Sequence, residues 1–293
     1  SIPVAERDRI KKHIRALKIR ARLIQAVREY FSHNEFLEID TPTRCPAIIP
    51  EAQIDPVTSE DWYLQASPEQ AMKRLLSKGY GNIFQICKTF RKNERGRFHL
   101  PEFTLLEWYS VGSTYLDLMD QCRSLIRFIA RRLECSDPIT YQGKPVWLNK
   151  EWQTLTAEDA FERYADLSLE TALEQGRFDE IVSFQVEPHM GVRTPGFLMD
   201  YPARLASLAQ LIPDNPEYAQ RVELYIAGIE LANGFTELTD AREQRARFEK
   251  ENEIRTAAGS VPLPMPEKFL NDLESMPPAA GIALGLDRLV MIF

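Results

Sequence analysis

Long apolar runs are missing from this chain. No stretch of 18 apolar residues occurs, so no segment reads as a membrane-spanning helix. Residues 1–13 are too charged to form the apolar core of a signal peptide, which points to the cytoplasm. Cysteine is scarce: Cys45, Cys87, Cys122 and Cys135 form no CxxC pair and lie at no metal-ligand spacing with the 4 histidines, so reduced thiols are expected rather than a disulfide or a structural zinc. Neither GxGxxG nor a P-loop is present, which argues against a Rossmann or Walker-type nucleotide site. No Ser-His-Asp or Cys-His arrangement stands out, and Cys87 and His189 are read as a core thiol and an ordinary loop histidine. No internal repeat and no clear linker divides the 293 residues.

What is present is the composition of a globular protein, with 44% hydrophobic and 27% charged residues and enough length to bury a core without a metal or disulfide. The net charge of −7 disfavours a surface that tracks nucleic acid throughout. Residues 7–31 carry apolar positions Leu17, Ala21, Ile24, Val27 and Phe31 at helical spacing, predicting one long amphipathic helix ending near His33. A short β-prone segment, 36–42, closes on Pro42 and predicts an edge or terminal strand. Ser67-Pro68-Glu69 is a helix start, with a cap residue, a proline and an acid in the first turn; this helix runs to about Gly79. Residues 82–90 and 103–109 alternate like two strands of a hairpin with a long cationic tip. Further helices are expected at 116–133, after Thr156, and from Asp240 to Gly259, with a small hairpin around Gln142-Gly143. The segment 177–216 has no clear pattern, 220–238 reads as a strand pair or one bent strand, and the proline-rich 261–278 leads to a final strand and helix. That helix is cut at Phe293, so a continuation is expected.

Three segments carry chemistry. On the strand after the cationic tip, Phe103, Leu105, Glu107 and Tyr109 share one face, because side chains alternate with period two. With Arg91, Arg95, Arg97 and His99 beside them, they offer an aromatic for a flat ring, cations for phosphates and an acid for an amine, which suits an aminoacyl-adenylate. A solvated surface hairpin is the alternative. In the second segment, Glu223 precedes Glu230, Asn233, Phe235 and Glu237, acids within an otherwise apolar strand pattern that are costly unless paired, metal-bound or facing a cleft. Glu230 is offset from the parity of the others, so a bulge near Asn233-Gly234 is required to bring it to their face. Two carboxylates suit Mg²⁺ held together with a nucleotide. The third is Gly281 to Arg288, a strand feeding a helix whose first turn carries an arginine, an arrangement that attracts anions.

In chain order these segments resemble the motifs of class II aminoacyl-tRNA synthetases, closest to the lysine enzymes. Pro42 falls in motif 1, Phe90-Arg91 to Thr104 in motif 2, and Gly285-Leu-Asp-Arg288 in motif 3, while Glu230 to Ala241 is lysine-type. Motif 1 lies within the first 45 residues, which leaves no room for the anticodon-binding OB domain of a lysyl-tRNA synthetase. The chain therefore looks like the free-standing lysyl-tRNA synthetase paralogues of the GenX/PoxA/EpmA family, ligases that attach (R)-β-lysine to elongation factor P. Ser67 and Ala283 fit that family, because the tRNA synthetases usually carry alanine and glycine there.

The resemblance implies an α+β class II catalytic fold, a mainly antiparallel sheet flanked by helices, as one domain over residues 1–293 and dimeric through motif 1. It implies ATP and Mg²⁺ as requirements, (R)-β-lysine or lysine as the amino acid, elongation factor P as acceptor, and no stable tRNA binding. By the same route, Arg91 and Arg288 become the catalytic pair, with Arg91 on the substrate carboxylate and α-phosphate and Arg288 on the terminal phosphates. Phe103 stacks on adenine, His99 faces the phosphates, and Glu223 and Glu230 bind Mg²⁺ and ATP. Ser67, Glu69, Glu107, Tyr109, Asn233, Phe235, Glu237 and Ala283 line the amino-acid pocket, with Glu237 and Tyr109 toward the distal ammonium. Motif 2 usually reads Phe-Arg-x-Glu, whereas here Asn93 precedes Glu94, so either Asn93 takes a neutral version of the ATP-binding role or Glu94 replaces it. Two rival functions follow from the same motifs: a shortened synthetase charging tRNA with α-lysine, and a non-catalytic sensor of amino acid or nucleotide. The N-terminal helix, with Lys11, Lys12 and Arg15 among nine cations, offers a basic stripe that an acidic elongation factor P could dock on, or simply a solvated face.

Overall fold

The computed structural model describes residues 2–92 and 99–293. Its elements begin with α1 (Val4–His33), β1 (Leu37–Glu38), β2 (Arg44–Cys45), β3 (Val57–Ser59), β4 (Trp62–Leu64) and α2 (Glu69–Ser77). Then come β5 (Ile83–Phe90), β6 (Glu102–Val111), α3 (Tyr115–Arg132), β7 (Ile139–Tyr141), β8 (Lys144–Val146), β9 (Gln153–Thr156), α4 (Ala157–Tyr164), α5 (Leu169–Glu174) and α6 (Phe178–Ile181). The chain closes with β10 (Gly196–Pro202), β11 (Leu211–Ile212), β12 (Asn215–Ile226), β13 (Ile229–Thr236), α7 (Ala241–Ala257), α8 (Glu267–Leu273), β14 (Ala279–Gly285) and α9 (Leu286–Ile292).

Among the described residues the main sheet has nine strands in the order β1-β5-β6-β14-β13-β12-β10-β9, with β11 beside β12. Only β1 with β5 and β9 with β10 pair parallel, so the sheet is mainly antiparallel, and helices flank it. Strand alternation divides its two faces. From β6, Leu106 and Trp108 point toward α1, α3 and α9, where they join Phe31, Leu125, Leu284 and Leu289 in one apolar core. Phe31 lies 4.7 Å from Phe84 and 5.1 Å from Trp108, ring centroid to centroid, and the Trp108 indole N–H donates to Gln121 Oε1 at 2.7 Å. The opposite parity, Leu105, Glu107 and Tyr109, is left for the other face.

Several local expectations need adjustment. The helix α1 is continuous, yet its burial begins only at Leu23 and continues with Ala26, Val27, Tyr30 and Phe31; Leu17 is 65% exposed, and residues 2–18 have no core to cover. Of the segment 36–42 only Leu37–Glu38 is strand, at the sheet edge, because the Thr41 amide donates to the Gln85 side-chain Oε1 at 2.9 Å instead of continuing the ladder. The unpatterned 177–216 contributes α6 and β10, and the proline-rich 261–278 hides α8, which buries Phe269, Leu270 and Leu273 against Met72 and Leu76 of α2. The strand reading of 220–238 resolves into β12 and β13, joined by a tight turn in which Ala227 and Gly228 both have positive φ, 53° and 75°.

Candidate active site

The side-chain row that faces away from the helices follows directly from register. Gln85 pairs with Glu107, Glu107 with Ala283, Ala283 with Asn233, and Asn233 with Glu223. The next row on that face runs Tyr109, Gly281, Phe235 and Arg221. Five strands, drawn from two hairpins and β14, thus bring the residues singled out above onto one surface. The pairing slips between Leu224 and Tyr225, so that Tyr225 stands opposite Glu230 while Leu224 stands opposite Ala232. Leu231 is the extra residue, and this bulge turns Glu230 to the face of Glu223. The required bulge therefore exists, two to three residues earlier than Asn233-Gly234.

Over this face lies a cavity of about 1180 Å³. Ser67, Glu69, Arg91, His99, Phe103, Glu107, Tyr109, Glu223, Glu230, Asn233, Phe235, Glu237, Ala283 and Arg288 all line it. Asn93 and Glu94 lie outside the described residues.

One end is acidic. Ser67 Oγ accepts from the Glu69 amide at 3.1 Å at the start of α2 and donates to Glu107 Oε2 at 2.9 Å, which ties that helix to β6. The Tyr109 hydroxyl also donates to Glu107 Oε1, at 2.7 Å. Burial pushes the Glu107 carboxyl up to about 8, Glu69 adding to the effect while Tyr109 and Ser67 oppose it. Burial also carries Glu237 well above the usual carboxylate range, with Lys73 pulling the other way.

The other end is cationic. The Arg91 guanidinium lies 5.1 Å from the Phe103 ring centroid, and its Nε is shielded from solvent without a hydrogen-bond partner among the described residues. Arg288, in the first turn of α9, donates to the Glu230 carbonyl at 2.7 Å, and Asp287 accepts from the Thr104 amide at 2.8 Å, locking that turn to β6. Between the ends, Glu223 accepts from Arg221 Nη2 at 2.6 Å and from the Tyr225 hydroxyl at 2.7 Å. Burial, then Glu223, pushes the Glu230 carboxyl up to about 8. No cluster of three or more metal-ligating side chains occurs among the described residues. Two neighbouring carboxylates on one face, of hard oxygen donors, nevertheless suit Mg²⁺ if ligand phosphates complete its shell.

A family model for tRNA synthetases class II (D, K and N) matches residues 6–293. The chain belongs to the class II tRNA synthetases. It is 39% identical to an elongation factor P–(R)-β-lysine ligase of Edwardsiella ictaluri (strain 93-146), over 93% of this chain and 89% of that protein. Proteins of the same name from Salmonella arizonae and Photobacterium profundum are 37% and 36% identical, covering 93% and 95% of this chain and 89% and 91% of theirs.

Two further cations of this class II synthetase chain escaped the motif reading. Arg221 donates to Asn233 Oδ1 at 2.9 Å as well as to Glu223, and its guanidinium lies 4.3 Å from the Tyr201 ring centroid. Its strand parity with Glu223 was the available signal. Lys73, wholly buried, pairs with Glu69 Oε1 at 2.6 Å and with Glu237. Its spacing of four from Glu69 on a helix was a signal too, but such pairs usually lie on solvated faces.

Proposed function

We propose that this protein is an ATP-dependent ligase that activates (R)-β-lysine, or lysine, as an aminoacyl-adenylate and transfers it to a lysine side chain of elongation factor P. The observation that carries the reading is the polarity of one cavity: three buried carboxylates, Glu69, Glu107 and Glu237, gather at the Glu107–Tyr109 end of β6, and Arg91 and Arg288 line the same cavity toward its Phe103–Leu105 end. The names of the relatives supply the acceptor and the β-amino acid.

In this reading the amino-acid carboxylate oxygen attacks the α-phosphorus of ATP, an acyl–phosphate bond forms, and pyrophosphate leaves. The acceptor amine then attacks the acyl carbon, forming an amide and releasing AMP and a proton. No side-chain nucleophile takes part. Arg91 neutralises the carboxylate and α-phosphate, Phe103 stacks on the adenine, and His99 and Arg288 face the phosphates, so that rate comes from alignment and charge neutralisation. Glu223 and Glu230 would hold Mg²⁺, which would supply charge compensation for the phosphates. Ser67, Asn233, Phe235 and Ala283 shape the pocket around the amine-binding acids, and dimerisation through the motif 1 region completes the proposed assembly.

Pyrophosphate exchange into ATP, run in parallel with lysine and (R)-β-lysine, tests activation, and transfer to elongation factor P or to tRNA tests the acceptor. Exchange with (R)-β-lysine and acylation of elongation factor P are expected; acylation of tRNA alone would replace this reading by a shortened synthetase, and no exchange with either amino acid by a binding module.

A further inference from the structure

Lys73 belongs to no motif, and the reaction proposed above leaves it unused. A buried lysine is costly unless carboxylates surround it. Its side chain is 0% exposed, its Nζ contacts Glu69 Oε1 at 2.6 Å and Glu237, and the ring centroids of Phe235 and Phe269 lie 5.4 and 5.9 Å away. Among the described residues Lys73 is the cation paired with Glu69 and Glu237, and Glu51, in the loop before β3, adds a further acid that faces Glu69 as well as Arg91 and Arg221, burial and then Glu69 pushing its carboxyl up to about 7. β6 contributes Glu107 and Tyr109, whose phenol donates to Glu107; α8 contributes the uncharged Phe269, its Asp272 being engaged by Arg74 and Lys78 on the same side of α2 as solvent. Two of the three buried carboxylates, Glu69 and Glu237, therefore share one ammonium, while burial holds the third, Glu107, protonated up to about 8. A diamino monocarboxylic acid brings two ammonium groups, and its carboxylate goes to Arg91 at the other end.

We propose that Lys73 is the positioning residue that sets the charge of the amino-acid pocket: it fixes Glu69 and Glu237 around its ammonium, takes up one of their two charges, and leaves the other, together with that of Glu107 once its proton is released, for a diamino substrate. The inference rests on the reading that Glu69, Glu107 and Glu237 face the amino acid. It also accounts for the electrostatics of the pocket. Burial draws the Lys73 ammonium down, yet Glu237 and then Glu69 outweigh it and raise its pKa, so this cation stays charged. Without it, the carboxylates would keep their protons to higher pH and lose their attraction for ammonium groups.

The test is pyrophosphate exchange by the full chain, with pH profiles of kcat/KM for lysine and (R)-β-lysine and with norleucine as a probe that lacks the distal charge. Wild-type exchange with either diamino acid is measured first, and its absence would count against the proposed function rather than against Lys73. In Lys73→Met, the KM for the diamino acid is expected to rise about tenfold or more near neutral pH, with the acidic limb of kcat/KM moved up by about one pH unit and the KM for ATP unchanged. The preference for lysine over norleucine is expected to fall. Lys73→Arg, which keeps a cation, is expected to hold the limb near its wild-type position. If Lys73→Met does not fold, Lys73→Gln carries the same readouts. A neutral variant whose acidic limb and norleucine discrimination match the wild type overturns the proposal, as does an arginine variant that shifts the limb as far as the neutral one.

Discussion

Gly281 on β14 stands opposite Tyr109 on β6 with no space for a methyl group: a Cβ placed there would lie 2.1 Å from Tyr109 Cε1 and 2.6 Å from Glu237 Oε1. Tyr109 and Glu237 can approach each other only because this position has no side chain. Gly281→Ala is therefore expected to displace both, costing about 1–3 kcal/mol of stability by overpacking and raising the KM for the amino acid. A thermal melt and an exchange assay check the two effects, and a variant with wild-type values in both would show that the contact relaxes freely.

Glu237→Gln keeps shape and removes charge. On the proposed assignment to the distal ammonium, it should lower kcat/KM for the amino acid by about 2–4 kcal/mol while the KM for ATP stays put. The substitution also leaves Lys73 with Glu69 alone. A loss of melting temperature should accompany the kinetic loss, and the melt should be recorded with the kinetics.

The pH dependence of amino-acid binding has a defined sign. Burial holds Glu107 protonated up to about 8, whereas an ammonium group needs the carboxylate. Binding must then release a proton, and affinity should strengthen as pH rises from 6 to 8, by up to about tenfold per unit. Calorimetric dissociation constants for lysine across that range check it, and Glu107→Gln should flatten the slope while weakening binding throughout.

Ala283 sits between Glu107 and Asn233 in one row of the sheet, on the cavity wall. If its methyl occupies space beside the amino group nearest the carboxylate, Ala283→Gly should raise activation of α-lysine relative to (R)-β-lysine. The ratio of the two exchange rates decides this, and an unmoved ratio removes Ala283 from the specificity determinants.

The exposed first half of α1 bears on the acceptor. Residues 2–18 are exposed, Lys11, Lys12 and Arg15 among them. Reversing these three to Glu should slow transfer to elongation factor P, most of all at low salt, and leave pyrophosphate exchange intact. Equal transfer rates across a salt series would leave the stripe a solvated face.

The chemistry-bearing residues were legible in the sequence wherever local order decided them. Strand parity put Phe103, Glu107 and Tyr109 on one face, Ser67-Pro68 announced α2, and Asp240 capped α7 by accepting from the Arg242 and Glu243 amides at 3.0 and 3.1 Å. Periodicity is a property of neighbouring residues, so a single chain carries it. What tertiary structure alone decided is which rows meet. The order β6-β14-β13-β12 sets Glu107, Ala283, Asn233 and Glu223 side by side, and the slip at Leu231 turns Glu230 into the same cavity. Register between distant strands depends on packing of the whole sheet, which no local window contains. Lys73 shows the same limit: its partner four residues away was visible, but its burial and its hold on Glu237 exist only once α2 packs against the end of β13 and the face of α8.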